Sequence, residues 1–173
     1  HERDADAGDD GTTDSTDPDD PLDDLAPLGD ALQRHILGGT TLHADDTPVP
    51  VLAPGRGQTR TARLWTYVRD ERAAGGETPP AVLFRYSPDR KGLHPQRHLR
   101  AFTGVLQADG YPDFRALYET GRVQEAACWA HVRREFHDVA QANDSPYARE
   151  ALTRIGSLYA VEADLRGQPP DRR

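Results

Sequence analysis

Two carboxylates stand where a strand-forming sequence would have to bury them: Asp45, with Asp46 beside it, and Asp109. Asp45 and Asp46 interrupt Leu42-His43-Ala44-Asp45-Asp46-Thr47-Pro48, and Asp109 closes the mostly apolar run Val105-Leu106-Gln107-Ala108-Asp109 before Gly110. A carboxylate on a central strand is expensive to bury unless it meets a cation or a hydrogen-bond donor. Hard oxygen donors, with few histidines and no cysteine pair, suit Mg²⁺ or Mn²⁺ better than zinc. Two such ions held roughly 3.5–4 Å apart would activate a water or a 3′-hydroxyl and stabilise the leaving oxygen of a phosphodiester. The chemistry is then phosphoryl transfer on a nucleic-acid backbone. A plainer use stays open, because an Asp before Gly is a common turn residue and Asp46-Thr47-Pro48 suits a strand terminus. Side chains alternate along a strand, so Asp45 and Asp46 face opposite ways and only one of them is expected in a site.

The elements that would carry these residues follow from period and punctuation. Leu28, Leu32 and Leu37 predict a helix over 25–37, stopped by Gly38-Gly39. Strand character then fills 40–53, 62–69 and 81–86, separated by turns at Pro54-Gly55-Arg56-Gly57 and Gly75 to Pro80. Beyond Ser87 the period changes: Pro95 suits the first turn of a helix with Leu99 and Phe102 on its inner face, ended by Gly104. Residues 105–109 read as a strand buried on both faces, and Phe114, Leu117 and Tyr118 as a short helix. A fifth strand is expected over Val123 to Trp129, followed by an amphipathic helix with Val132, Phe136, Val139 and Ala140 inward. Ser145-Pro146 caps a last helix running to Gly167. Three antiparallel strands followed by alternating helix and strand give an α/β architecture, a mixed five-stranded sheet with flanking helices. The order is that of a ribonuclease H-like fold, in which the first and fourth strands are central neighbours and bring Asp45 to Asp109.

Length and charge sharpen the reading. A chain of 173 residues has room for one domain, and its net charge of −8 is unevenly spread. Residues 1–24 hold eleven acids and one base, with only Ala5, Ala7 and Leu22 as apolar side chains, so this acidic tail is expected to be disordered. The body, 25–173, has 20 bases against 18 acids and can still meet phosphates. Nine bases against five acids lie between Arg85 and Arg134, and Arg90, Lys91, Arg133 and Arg134 are candidate DNA contacts, with a merely solvated helix face as the plainer alternative. One cysteine, Cys128, rules out an internal disulfide framework, and no long apolar run or leader suggests a membrane, which reads as cytoplasmic. Cys128 and His131 form a C-x-x-H pair, too few ligands for zinc, and Trp65 and Trp129 read as core. The chain contains no Met and opens on His1, as a piece of a longer frame would.

Five blocks in order carry a resemblance. His43-Ala44-Asp45-Asp46-Thr47-Pro48-Val49, Leu64-Trp65-Thr66-Tyr67-Val68-Arg69, Tyr86-Ser87-Pro88-Asp89-Arg90, Leu106-Gln107-Ala108-Asp109-Gly110-Tyr111, and Cys128-Trp129-Ala130-His131-Val132-Arg133-Arg134-Glu135-Phe136 resemble successive blocks of the insertion sequence 66 family of bacterial transposases. The resemblance implies a catalytic domain of the Asp-Asp-Glu type, here partial and incomplete at its C-terminus. It would use two Mg²⁺ (or Mn²⁺) ions to cleave DNA at the element's ends and direct the freed 3′-hydroxyl at target DNA. Asp45 matches the family's first catalytic and metal-binding aspartate, and Asp109 the second. A homo-oligomer in the transposition complex, accessory proteins encoded by the element, and a nucleoid-associated location are also implied, with no membrane involved.

The third acid of that pattern is expected to be missing. In the family it lies beyond an insertion after the Cys-Trp-Ala-His block, and the only later glutamates are Glu135, Glu150 and Glu162. A non-catalytic remnant that binds DNA without sequence preference is therefore the alternative to an active enzyme.

Overall fold

Two prolines inside the first strand show how the sheet is arranged. In the computed structural model, which describes residues 25–172 except Arg56, strand β1 (Thr41–Ala53) pairs antiparallel with β2 (Gln58–Arg69) from His43 to Ala53 but parallel with β4 (Gly104–Ala108) only from Thr41 to His43. The Thr40 carbonyl accepts from the Val105 amide, so even-numbered residues of β1 direct their backbone groups toward β4. Pro48 and Pro50 fall on that parity after β4 has ended, where the missing N–H leaves no ladder bond unmade and discourages another strand from adding.

The sheet is completed by β3 (Ala81–Ser87), antiparallel to β2, and β5 (Val123–Ala127), parallel to β4, in the order β3-β2-β1-β4-β5. This mixed five-stranded sheet with flanking helices is the expected α/β, ribonuclease H-like arrangement, with β1 and β4 side by side at its centre. One face carries the core: Leu42, Ala44, Trp65, Tyr67, Leu83, Leu106 and Ala108 are buried against Ile36 of helix α1 (Ala26–Leu37), Leu99 and Phe102 after α2 (Leu93–His98), and Phe114 and Leu117 around α3 (Arg115–Tyr118). Between β2 and the end of edge strand β3 the Trp65 indole N–H donates to the Ser87 hydroxyl oxygen at 2.8 Å, so both buried polar groups are satisfied.

Gly104 sets how closely β4 approaches β1. Its φ is 141°, and a Cβ there would lie 2.3 Å from the Thr40 carbonyl oxygen, so only glycine fits. Beyond β5, helices α4 (Trp129–Asn143) and α5 (Pro146–Leu165) form a hairpin, with the Ser145 hydroxyl accepting from the Ala148 amide as an N-cap.

Several expectations shift by a turn. Strand β2 begins at Gln58 and not at Ala62, because the tight turn holds the polar residues 58–61 against β1. Helix α2 ends at His98, so Phe102 reaches the core from the loop after it. Strand β5 stops at Ala127; Cys128 caps α4, and Trp129, expected in the core, is 49% exposed on the first turn. The acidic stretch 1–24 lies outside the described residues. Among those described, no helix is long and apolar enough to cross a membrane.

Candidate metal centre

The register of the two central strands builds the site. His43 lies opposite Gln107, and two further residues along each chain lead to Asp45 and Asp109 at the same end of the sheet. There Asp109 leaves β4 into a turn at Gly110, whose φ is 78°, and its Oδ1 accepts from the Tyr111 amide at 3.1 Å. On β1 the Asp45 Oδ1 accepts from the Asp46 amide at 2.8 Å. One carboxylate oxygen from each of Asp45, Asp46 and Asp109 lies within 4.8 Å of the other two. Among the described residues, these form the one group of three acidic, histidine or cysteine side chains close enough to share a cation.

Two sequence expectations are overturned by this cluster. Asp46 joins it, although only one of the adjacent pair was expected there, and the third acid is accordingly not missing. Alternation does hold, with Asp45 exposed and the Asp46 side chain turned to the core face, 1% exposed. The cluster lies at the end of β4, however, where carboxylates from either face of β1 can reach over the rim to the same point. None of Glu135, Glu150 and Glu162 belongs to the group.

Asp46 is enclosed by guanidinium groups. Arg63, on the core face of β2, donates from Nη1 to Asp46 Oδ2 at 3.0 Å. Arg90, just past β3, donates from Nη2 to Oδ1 at 2.6 Å and from Nε to both oxygens at 3.0 Å. Its Nη2 also lies 3.5 Å from Asp109 Oδ2. The Arg90 guanidinium sits over the Tyr111 ring, with Cζ 3.7 Å from the centroid, and the Tyr111 hydroxyl donates to the Arg90 carbonyl oxygen at 2.9 Å. Burial pulls the Arg90 pKa down, but the bond to Asp46 and the neighbouring Asp46 and Asp109 carboxylates outweigh it and raise it, so the group stays charged. Sequence reasoning assigned Arg63 and Tyr111 no role. The turn between β1 and β2 was the available signal for Arg63, since it fixes Asp46 opposite Trp65 and puts Arg63 two residues along on the same face.

The remaining candidates lie on the loop after β3 and on α4. Lys91 is exposed and pairs through Nζ with Asp89 Oδ2 at 3.0 Å. Bonds from the Lys91 amide and ammonium, then His94, hold the Asp89 carboxyl down at about 2. Arg133 and Arg134 are on α4, beside Ala130, His137 and Tyr159 in a shallow depression. A cleft of about 930 Å³ between the second sheet face and the α4–α5 hairpin is lined in part by His43, Gln107, Cys128 and Trp129. The backbone carbonyl of Cys128 closes the first turn of α4 by accepting from the His131 amide at 3.0 Å.

The donor set fits a hard divalent cation. It consists of carboxylate oxygens alone, without sulfur or imidazole, as Mg²⁺ and Mn²⁺ sites do. Comparison with known proteins agrees in kind. The family described as Transposase IS66 family matches residues 20–173. The uncharacterized protein y4qI of Sinorhizobium fredii is 38% identical over 152 residues, covering 84% of this chain and 28% of that protein. A second from the same organism, y4hP, is 37% identical over 165 residues, covering 86% of this chain and 30% of its own length. The chain thus spans less than a third of these relatives. No solved structure gives a significant match.

Proposed function

The chain belongs to the IS66 transposase family, and from that premise we propose that residues 25–173 are part of a catalytic domain that cuts DNA at an element's ends and joins the freed 3′-hydroxyl to target DNA. The observation that carries this reading is the convergence of Asp45, Asp46 and Asp109 at one end of β1 and β4. Two Mg²⁺ or Mn²⁺ ions held there would supply the Lewis-acid charge that phosphodiester attack and departure require.

The side chains divide the work. Asp45 and Asp109 are the catalytic pair: Asp45 is exposed and Asp109 partly so, which leaves both within reach of an incoming backbone. Asp46 closes the inner side of the cluster from its buried position. Arg90, Lys91, Arg133 and Arg134 supply the positive charge that draws in phosphates.

Nicking of supercoiled plasmid by this chain in Mn²⁺, compared with the same reaction in chelator, tests the proposal. Asp45→Asn and Asp109→Asn should each reduce nicking at least about 100-fold, as loss of a directly bound metal ligand does. Their circular dichroism and DNA mobility shift should be unchanged. Salt-sensitive DNA binding with no Mn²⁺-dependent nicking would sink the cleavage assignment and leave a DNA-binding module.

A further inference from the structure

Resting on the metal reading above, we propose that Arg90 is a positioning residue that stands in for a divalent cation at the acidic cluster and must leave Asp109 before a cation can bind. Three carboxylates with oxygens within 4.8 Å of one another repel unless a positive charge lies among them. Arg90 supplies that charge. It reaches Asp46 through both Nε and Nη2 and extends Nη2 toward Asp109 at 3.5 Å, so a single guanidinium links two of the three acids. Arg63 differs, because it meets Asp46 at Oδ2 and has no contact with Asp109.

The anchoring of Arg90 supports a placeholder role. Its guanidinium rests on Tyr111, two residues beyond Asp109, and its carbonyl oxygen accepts from the same tyrosine's hydroxyl. The charge is therefore fixed to the loop that carries Asp109, and the ring contact keeps it in the neighbourhood when its hold on Asp109 is given up. A divalent cation using the Asp46 and Asp109 oxygens would sit beside that guanidinium, and two positive groups at such a distance repel. Arg90 thus keeps the acids gathered before metal arrives and lowers the affinity for the metal when it does. With Arg90 neutralised, Arg63 still holds Asp46 in place, so the ligand set survives while the competing charge is gone.

Mn²⁺ binding to the chain, followed by the electron paramagnetic resonance of free Mn²⁺, tests this without any turnover. Arg90→Gln should bind about ten-fold more tightly than the unmodified chain. Arg90→Lys, which keeps a charge, should stay within about two-fold of it, and Arg63→Gln should gain less than Arg90→Gln. Equal or weaker binding by Arg90→Gln overturns the placeholder role alone, and absence of Mn²⁺ binding in every form overturns the metal reading with it. Should Arg90→Gln fail to fold, the Arg90 Nε–H resonance of the unmodified chain gives a second readout during a Mg²⁺ titration. A shift that saturates with Mg²⁺ supports displacement, and an unmoved resonance at saturating Mg²⁺ rules it out.

Discussion

The Arg90 guanidinium lies over the Tyr111 ring, its Cζ 3.7 Å from the centroid, while the Tyr111 hydroxyl donates back to the Arg90 carbonyl oxygen. Two contacts between the same two residues tie the loop after β3 to the loop after β4. The acids therefore keep their spacing through this pair as well as through the sheet.

Tyr111→Phe removes the hydroxyl and keeps the ring, and we expect it to destabilise the fold by about 1 kcal/mol. Tyr111→Leu also removes the cation–π contact, adding about 0.5–1 kcal/mol. Urea unfolding of the two variants checks the increments; identical stabilities would show that the ring contributes nothing.

Ser87→Ala leaves the buried Trp65 indole N–H without its acceptor. An orphaned buried donor costs about 1–3 kcal/mol, so the melting temperature should fall by several degrees. Trp65 is fully buried and Trp129 half-exposed, so tryptophan fluorescence in a Trp129→Phe background isolates the affected indole. Ser87→Thr, which keeps a hydroxyl, should recover part of the loss.

Gly104→Ala places a methyl group 2.3 Å from the Thr40 carbonyl oxygen at a φ of 141°. Backbone strain and the clash together should cost about 3 kcal/mol or more. Because β4 must then retreat from β1, Mn²⁺ affinity should drop even in whatever fraction stays folded. Calorimetry and the paramagnetic titration read the two effects separately, and an unchanged melting temperature would contradict the packing described.

Acid should loosen the fold through His98. Burial, then the positive charge of Arg85 and His94, pushes its pKa down from 6.5 to about 4, and its Nδ1 lies 2.9 Å from the Tyr67 hydroxyl. The folded chain therefore binds fewer protons than the unfolded chain between those two values. Stability from this group is complete above about pH 6.5 and is lost as pH falls toward 4. Allowing for its partial solvation, the loss is on the order of 1 kcal/mol. Urea midpoints from pH 6.5 to 4.5 should decline in the parent and decline less in His98→Gln.

Much of this organisation was legible in the residues. Alternation in Leu64-Trp65-Thr66-Tyr67-Val68, the Gly38-Gly39 stop and the apolar run before Asp109 are local signals, and the elements they mark are present. Asp45 and Asp109 followed from the order of those elements, because strand order alone decides that β1 meets β4. The third acid was not legible, since alternation separates neighbours on a strand but says nothing of a rim that both faces reach. Arg63 and Tyr111 escaped for a related reason: each acts through a partner distant in sequence, fixed by register or by a loop. Trp129 misled because the composition of a strand ran straight into the first turn of a helix.

Strand β1 is flanked by strands on both sides for only its first few residues, and from Val49 to Ala53 the β1–β2 pair runs on with no third strand beside it. Asp45 and Asp46 thus occupy a fulcrum. At about 3.3 Å per residue the ribbon extends roughly 23 Å beyond Asp46. A tilt of about 10° would swing its tip by roughly 4 Å with the carboxylates almost stationary. The lever and the bearing are made from one continuous strand, so a swing of the arm would leave the spacing of the acids in place.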